Sequence, residues 1–155
     1  MKVRVLHMLD KEKEYFGYCP EEGDFLPGNI AKESKDHIVC GVQVKATTYH
    51  LVCKKCGAYL SSDIIEKEND INVYNAYKKK VGLLTTDEIK QIRTKRGWSQ
   101  RTLARFLGIG EKDITRYENG AVQTKSIDRM MRLVDDDLAF ERMCVCFNQD
   151  LSIKK

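Results

Sequence analysis

The chain has no apolar run of membrane-spanning length, and Met1-Lys2-Val3 does not open as a signal peptide. It has no low-complexity tract and no internal repeat, which sets aside fibrous and solenoid designs. No paired carboxylates, nucleophile–base pair or phosphate-cradling glycine loop is present, so the reading is of a protein that is not an enzyme. His7, His37 and His50 stand apart from one another. A lone histidine in such a context is more often a surface or packed residue than a base. Charge of one sign is not abundant either: 27 Lys+Arg face 23 Asp+Glu, a net +4. What is there is a globular composition, 42% hydrophobic and 32% charged over 155 residues, enough for one domain or two small ones. The expected setting is a bacterial or phage cytoplasm. In a reducing compartment, six cysteines point to metal ligands and free thiols rather than disulfides.

The small net charge hides an uneven spread. Residues 76–132 carry 14 basic and 6 acidic side chains, a net +8. Residues 1–68 carry 10 and 11, a net −1. The basic half suits a polyanionic partner, and the near-neutral half does not. A charge run can also be a plain solvated helix face, but this one coincides with a motif.

That motif is Ser99-Gln100-Arg101-Thr102-Leu103-Ala104-Arg105-Phe106-Leu107-Gly108, followed by Arg116-Tyr117-Glu118-Asn119-Gly120. Ser99 can cap a first short helix, and Gly108 supplies a left-handed stop. A second helix starts near Glu111. Its Ile114 and Tyr117 face inward, while Lys112, Thr115, Arg116 and Asn119 fall on the other side. This is the layout of a helix-turn-helix whose second helix lies in the DNA major groove. Upstream, Thr85 and Glu88 are spaced as a capping box, Ile89 and Ile92 face inward, and Trp98 plugs the core. Downstream, a helix from about Lys125, behind Thr124, turns Ile127, Met130, Met131 and Val134 inward. Asp135-Asp136-Asp137 breaks it, and residues 138–147 form a further helix.

The first half reads as β. Residues 38–40, 42–45 and 47–52 alternate or are β-branched, with Gly41 as a bulge or turn. Pro27-Gly28-Asn29 signals a turn within a polar stretch from Glu21 to Lys35. Val3 to Leu6 form a candidate extra strand, and residues 71–82 an amphipathic helix. The expected domains are residues 1–68, a connecting helix 69–83, a helix-turn-helix domain 84–137 and a C-terminal helix and tail 138–155.

Cys53-Lys54-Lys55-Cys56-Gly57 has the form of a zinc knuckle, half of a structural site. Cys19-Pro20-Glu21-Glu22-Gly23 has the same form with Glu22 where a second cysteine would stand. One reading is zinc held by Cys19, Glu22, Cys53 and Cys56. A second takes Cys40, His37 or His50 as the fourth ligand. A third is a decayed site without metal. A redox pair is disfavoured, because a strand rather than a helix start borders Cys53. Cys40 reads as a small core residue, and Cys144 and Cys146 as buried or free thiols.

A β-rich CxxC domain, a helix and a helix-turn-helix together resemble the MqsA-type antitoxins, also described as YgiT-type zinc finger/helix-turn-helix proteins. The matching residues are Cys19-Pro20, Val39-Cys40-Gly41 with Val42 and Val44, residues 52–57, Tyr74-Asn75-Ala76-Tyr77 with Lys78 to Lys80, Leu83-Leu84-Thr85, Glu88-Ile89, Ile92-Arg93, Ser99-Gln100, Leu107-Gly108 and residues 116–120. Glu22 departs from the family's four-cysteine pattern.

The resemblance implies an α+β protein. A β-rich, zinc-ribbon-like domain is followed by an all-α, five-helix, Xre-like helix-turn-helix domain. It implies a homodimer that represses its own promoter and a toxin partner bound through the N-terminal domain. Carried over, Lys112 and Arg116 read bases and Gln100 contacts phosphate. The expected DNA-facing set is Gln100, Arg101, Lys112, Thr115, Arg116 and Asn119, and the expected cofactor is structural zinc. A stand-alone regulator without a toxin is the competing function.

Overall fold

The computed structural model describes residues 14–146. The strand expected over Val3 to Leu6, Phe147 and the tail lie outside the described residues. Two compact units meet between Tyr77 and Lys78. The first holds strands β1 (Tyr15–Cys19), β2 (Asp24–Val39), β3 (Val42–Cys53) and β4 (Tyr59–Leu60), followed by helix α1 (Asp63–Val81), inside which the boundary falls. The second holds α2 (Thr86–Lys95), α3 (Gln100–Leu107), α4 (Glu111–Glu118), α5 (Lys125–Asp135) and α6 (Asp137–Cys146). The class is α+β, as the sequence led us to expect. No helix among the described residues is long and apolar enough to cross a membrane.

The four strands form one antiparallel sheet in the order β1-β2-β3-β4. β1 shows why: Tyr15, Gly17 and Cys19 are buried while Phe16 and Tyr18 are exposed, the period of two that a half-buried strand needs. Tyr18 exchanges backbone hydrogen bonds of 2.9 and 3.0 Å with Ser61, so β1 also meets the chain just past β4. The core between them is Tyr15, Cys19, Leu51, Cys53, Leu60 and Ile65.

The turn expected at Pro27-Gly28-Asn29 is absent. These residues run through β2, with Gly28 paired to both Tyr15 and Cys53. Gly28 serves close approach, not turning: a Cβ there would sit 2.6 Å from Leu51 Cγ. The actual reversal is at Cys40-Gly41, between paired Val39 and Val42. Both turn residues have positive φ, 48° and 76°, as a two-residue hairpin demands. Cys40 is therefore an exposed turn residue, not the core residue expected.

Helix α1 starts at Asp63, earlier than the periodicity from Ile71 suggested. Its first turn carries Asp63 and Glu66 and its last Lys78 to Lys80, matching the helix dipole at both ends. Asn69 accepts from the Tyr49 amide at 2.7 Å and donates to the Tyr49 carbonyl at 2.8 Å, satisfying β3 where β4 no longer pairs with it.

In the second unit the caps fall where the sequence puts them. Thr85 and Glu88 form the capping box, Ser99 caps α3, Thr124 caps α5, and Gly108 ends α3 at φ 67°. Trp98, Phe106 and Phe140 pack ring on ring at 5.1–5.6 Å, inside a core with Ile89, Ile92, Leu103, Ile114, Met131 and Val134. Each such buried side chain contributes about 1.5–3 kcal/mol of transfer free energy. Ile127, Met130 and Tyr117 pack half-buried against it.

Candidate metal centre and nucleic-acid interface

Two matching loops build the first site. In one, the Gly23 amide donates to the Cys19 carbonyl at 2.9 Å; in the other, the Gly57 amide donates to the Cys53 carbonyl at 3.0 Å. Both glycines are left-handed, at φ 69° and 79°, and in the second loop the Lys55 amide donates to Cys53 Sγ at 3.4 Å. The sulfurs of Cys19, Cys53 and Cys56 all lie within 4.8 Å of one another. Cys19 and Cys56 are 3.4 Å apart. Sulfurs about 2.3 Å from one zinc must be this close together, so the donor set fits a tetrahedral thiolate-binding ion. The three cysteines can hold a metal ion, and the arrangement fits a zinc-ribbon-like site.

Cys53 and Cys56 differ in acidity. The Cys56 amide, with help from the Lys55 amide 3.4 Å from Cys53 Sγ, holds the Cys53 thiol below its usual range. The Ala58 amide lowers Cys56, but its contact with Cys19 and burial outweigh that and push it up to about 11. A bound cation would take the place of the protons on its thiol ligands.

Glu22 stands in its loop where Cys56 stands in the other, but it is not part of the sulfur group. Its Oε2 pairs with the Lys55 ammonium. The other residues weighed as fourth ligand are also outside the group. Cys40 is in the hairpin turn, and His50 Nε2 meets Glu33 at 3.1 Å. His37 Nε2 is buried without a hydrogen-bond partner among the described residues. Cys144 is buried, which raises its thiol pKa, and Cys146 is exposed.

The second site is on α3 and α4, joined by the turn 108–110. Arg101, Lys112, Arg116 and Asn119 are exposed, as expected. Arg116 lies 3.6 Å from Asp113, one turn back. Gln100 and Thr115 are only half-exposed. Thr115 Oγ1 donates to Gln100 Oε1 at 2.9 Å, and Gln100 Nε2 donates to Glu118 Oε2 at 2.9 Å. Glu118 is 2% exposed and takes Arg93 at 2.5 and 2.9 Å. Its hydrogen bonds raise the Arg93 pKa against the opposing effect of burial. Gln100 is thus committed to holding α3 against α4.

The family model described as the antitoxin component of bacterial toxin-antitoxin systems, MqsA, matches residues 18–139. The chain belongs to the MqsA antitoxin family. The matched residues take in both sites, from Cys19 through the end of α5. As an MqsA-family antitoxin, the chain has a toxin as its partner class. No curated protein and no solved structure matches it.

Sequence reasoning missed two parts of this MqsA-type chain. Lys55 read only as a spacer inside the CxxC knuckle, and nothing in the spacing ties it to Glu22. Glu118 read as one letter of the Arg116–Gly120 motif. Its place four residues after Ile114, on the buried side of α4, was the available signal that it needed a buried cation.

Proposed function

We propose that this antitoxin is a sequence-specific DNA-binding repressor of its own operon. It acts as a homodimer in the cytoplasm, with residues 84–137 as an Xre-like DNA-binding domain and the N-terminal domain as the surface that binds its toxin. The observation that carries the reading is the α4 face. Lys112 and Arg116 project from a helix whose back is locked by Arg93, Glu118 and Gln100, and exposed Asn119 caps its end, its side-chain amide donating to the Thr115 carbonyl at 2.7 Å. A rigid helix with exposed guanidinium and ammonium groups suits base edges and phosphates. Arg101, exposed at the start of α3, is proposed to contact the phosphate backbone. Gln100 and Thr115 contribute by geometry, with any phosphate contact left to Gln100's second amide hydrogen.

Zinc is the metal that suits a closed thiolate site, and its role would be structural, since four protein ligands leave no place for substrate. Glu22 is the proposed fourth ligand. Footprinting on the chain's own promoter tests the repressor reading. The expected result is two protected half-sites about 34 Å apart, or a multiple of that, with binding that weakens steeply as salt rises. A single unrepeated site would remove the homodimer, and binding insensitive to salt would remove the basic face.

A further inference from the structure

We infer that Lys55 positions Glu22 as the fourth metal ligand, by holding one carboxylate oxygen so that the other is left for the ion. The inference rests on the reading of Glu22 as that ligand. The two loops are equivalent in backbone, with the same glycine-to-cysteine hydrogen bond at 2.9 and 3.0 Å. Cys56 fills the second ligand place in one, and Glu22 holds the same loop position in the other, outside the sulfur group. A carboxylate reaches farther than a thiol and rotates more freely, so it needs an orienting partner. Lys55 is that partner. It precedes Cys56 in the opposite loop, its amide lies 3.4 Å from Cys53 Sγ, and its ammonium pairs with Glu22 Oε2. The pair therefore joins the two loops beside the sulfur group.

Charge gives the same answer. Three thiolates and a carboxylate around a divalent ion leave an excess of negative charge, and the Lys55 ammonium offsets part of it. The adjacent lysine cannot do so. Lys54 Nζ is held by Glu14 at 2.6 Å. That difference supplies an internal control, because both lysines are exposed side chains in the same loop.

The test uses the full-length chain, zinc competition against a chromophoric chelator, and the visible spectrum with Co2+ in place of zinc. Lys55→Met should weaken zinc by about 10–100-fold, the usual effect of losing an outer-sphere partner, and Glu22→Ala by at least as much. Both should shift the Co2+ d–d bands in the same direction. Lys55→Arg should restore most of the affinity, and Lys54→Met should change neither readout. The Lys55→Met/Glu22→Ala double variant should bind no worse than Glu22→Ala alone. Wild-type affinity and spectrum in Glu22→Ala would overturn the underlying ligand reading. A weakened Glu22→Ala beside an unaffected Lys55→Met would overturn the inference alone. Tighter zinc in Lys55→Met would overturn it too, by showing that the ammonium competes with the ion.

Discussion

Arg93 reaches both carboxylate oxygens of Glu118, Nε to Oε1 at 2.5 Å and Nη2 to Oε2 at 2.9 Å, and so ties α2 to α4. Oε2 also accepts from Gln100 on α3, so one buried carboxylate joins three helices. Removing one side of such a pair leaves a charge without its partner. Glu118→Ala should cost roughly 2–3 kcal/mol, less than the ~3–5 of a fully buried pair because Arg93 keeps some exposure. A urea midpoint equal to wild type would show that the pair holds nothing. DNA affinity should fall as well, although Glu118 is buried away from any ligand, because α4 loses its fixed seat.

Arg116 and Lys112 should separate by their effects. Arg116→Ala should remove about 1–3 kcal/mol of discrimination at one base pair, the value of a bidentate guanine contact. Lys112→Ala should do the same at a neighbouring position, or weaken all sequences alike and reduce the salt slope if its partner is phosphate. Selection from a random DNA library, run with each variant, reads both effects. Two variants with wild-type preference and affinity would mean that α4 is not the reading helix.

The two units have separate cores that share no residue. Cys53→Ser or Cys56→Ser should therefore abolish metal binding and loosen the first unit only, because a structural ion contributes its binding free energy to folding. Elemental analysis should show no metal in either variant, and DNA binding should persist. Chelation of the wild-type protein should give the same pattern. Loss of DNA binding with the metal would show that the second unit depends on the first.

Cys40 occupies a left-handed turn position at φ 48°, where a residue with a Cβ is strained. Asparagine tolerates this region, and Asn-Gly is the favoured pair for such hairpins. Cys40→Asn should stabilise the first unit by up to about 1 kcal/mol, part of the roughly 1–2 kcal/mol that a left-handed residue with a Cβ costs. It should also leave metal content unchanged, since Cys40 is outside the sulfur group. A lower melting temperature, or lost metal, would contradict this.

What the sequence made legible follows local chemistry. The second unit is built from short helices, each with its own cap, so Thr85, Ser99, Gly108 and Thr124 could be placed by residue type alone. The CxxC knuckle is equally local. The first unit is governed by pairing across the sheet, which no short window contains. β1 and the start of β2 passed unread because their outward faces carry Phe16, Tyr18 and Phe25 rather than clear polar residues. Pro27-Gly28 misled because close packing against Leu51 selects the same glycine that a turn would. The Arg93–Glu118 and Lys55–Glu22 pairs span 25 and 33 residues, and only the folded chain brings them together.

Lys78 is the remaining anomaly. It is fully buried, and its Nζ has no hydrogen-bond partner among the described residues. Burial pushes its pKa down to about 8, against an opposing pull from Asp128. Asp128 itself is raised by burial, but hydrogen bonds from Arg132, the Leu84 amide and Gln123 outweigh this and hold it below the ordinary carboxylate value. The lysine in the unfolded chain titrates near 10.5. Below pH 8 both states carry the proton, and the cost of burying the ammonium is fully present. Between about 8 and 10.5 the folded state gives up its proton first, so stability should rise with pH through that window. Asp128 acts at the other end. Its contribution is present above the ordinary carboxylate range and is lost as pH falls through its depressed value. Lys78→Met should raise the urea midpoint at pH 7 and flatten the rise above pH 8, while leaving the acid limb in place. Subtracting the two midpoint curves between pH 6 and 10 isolates the lysine from other titrating groups. A difference that stays constant with pH, or a variant less stable than wild type at pH 7, would mean that the buried ammonium is compensated in the fold.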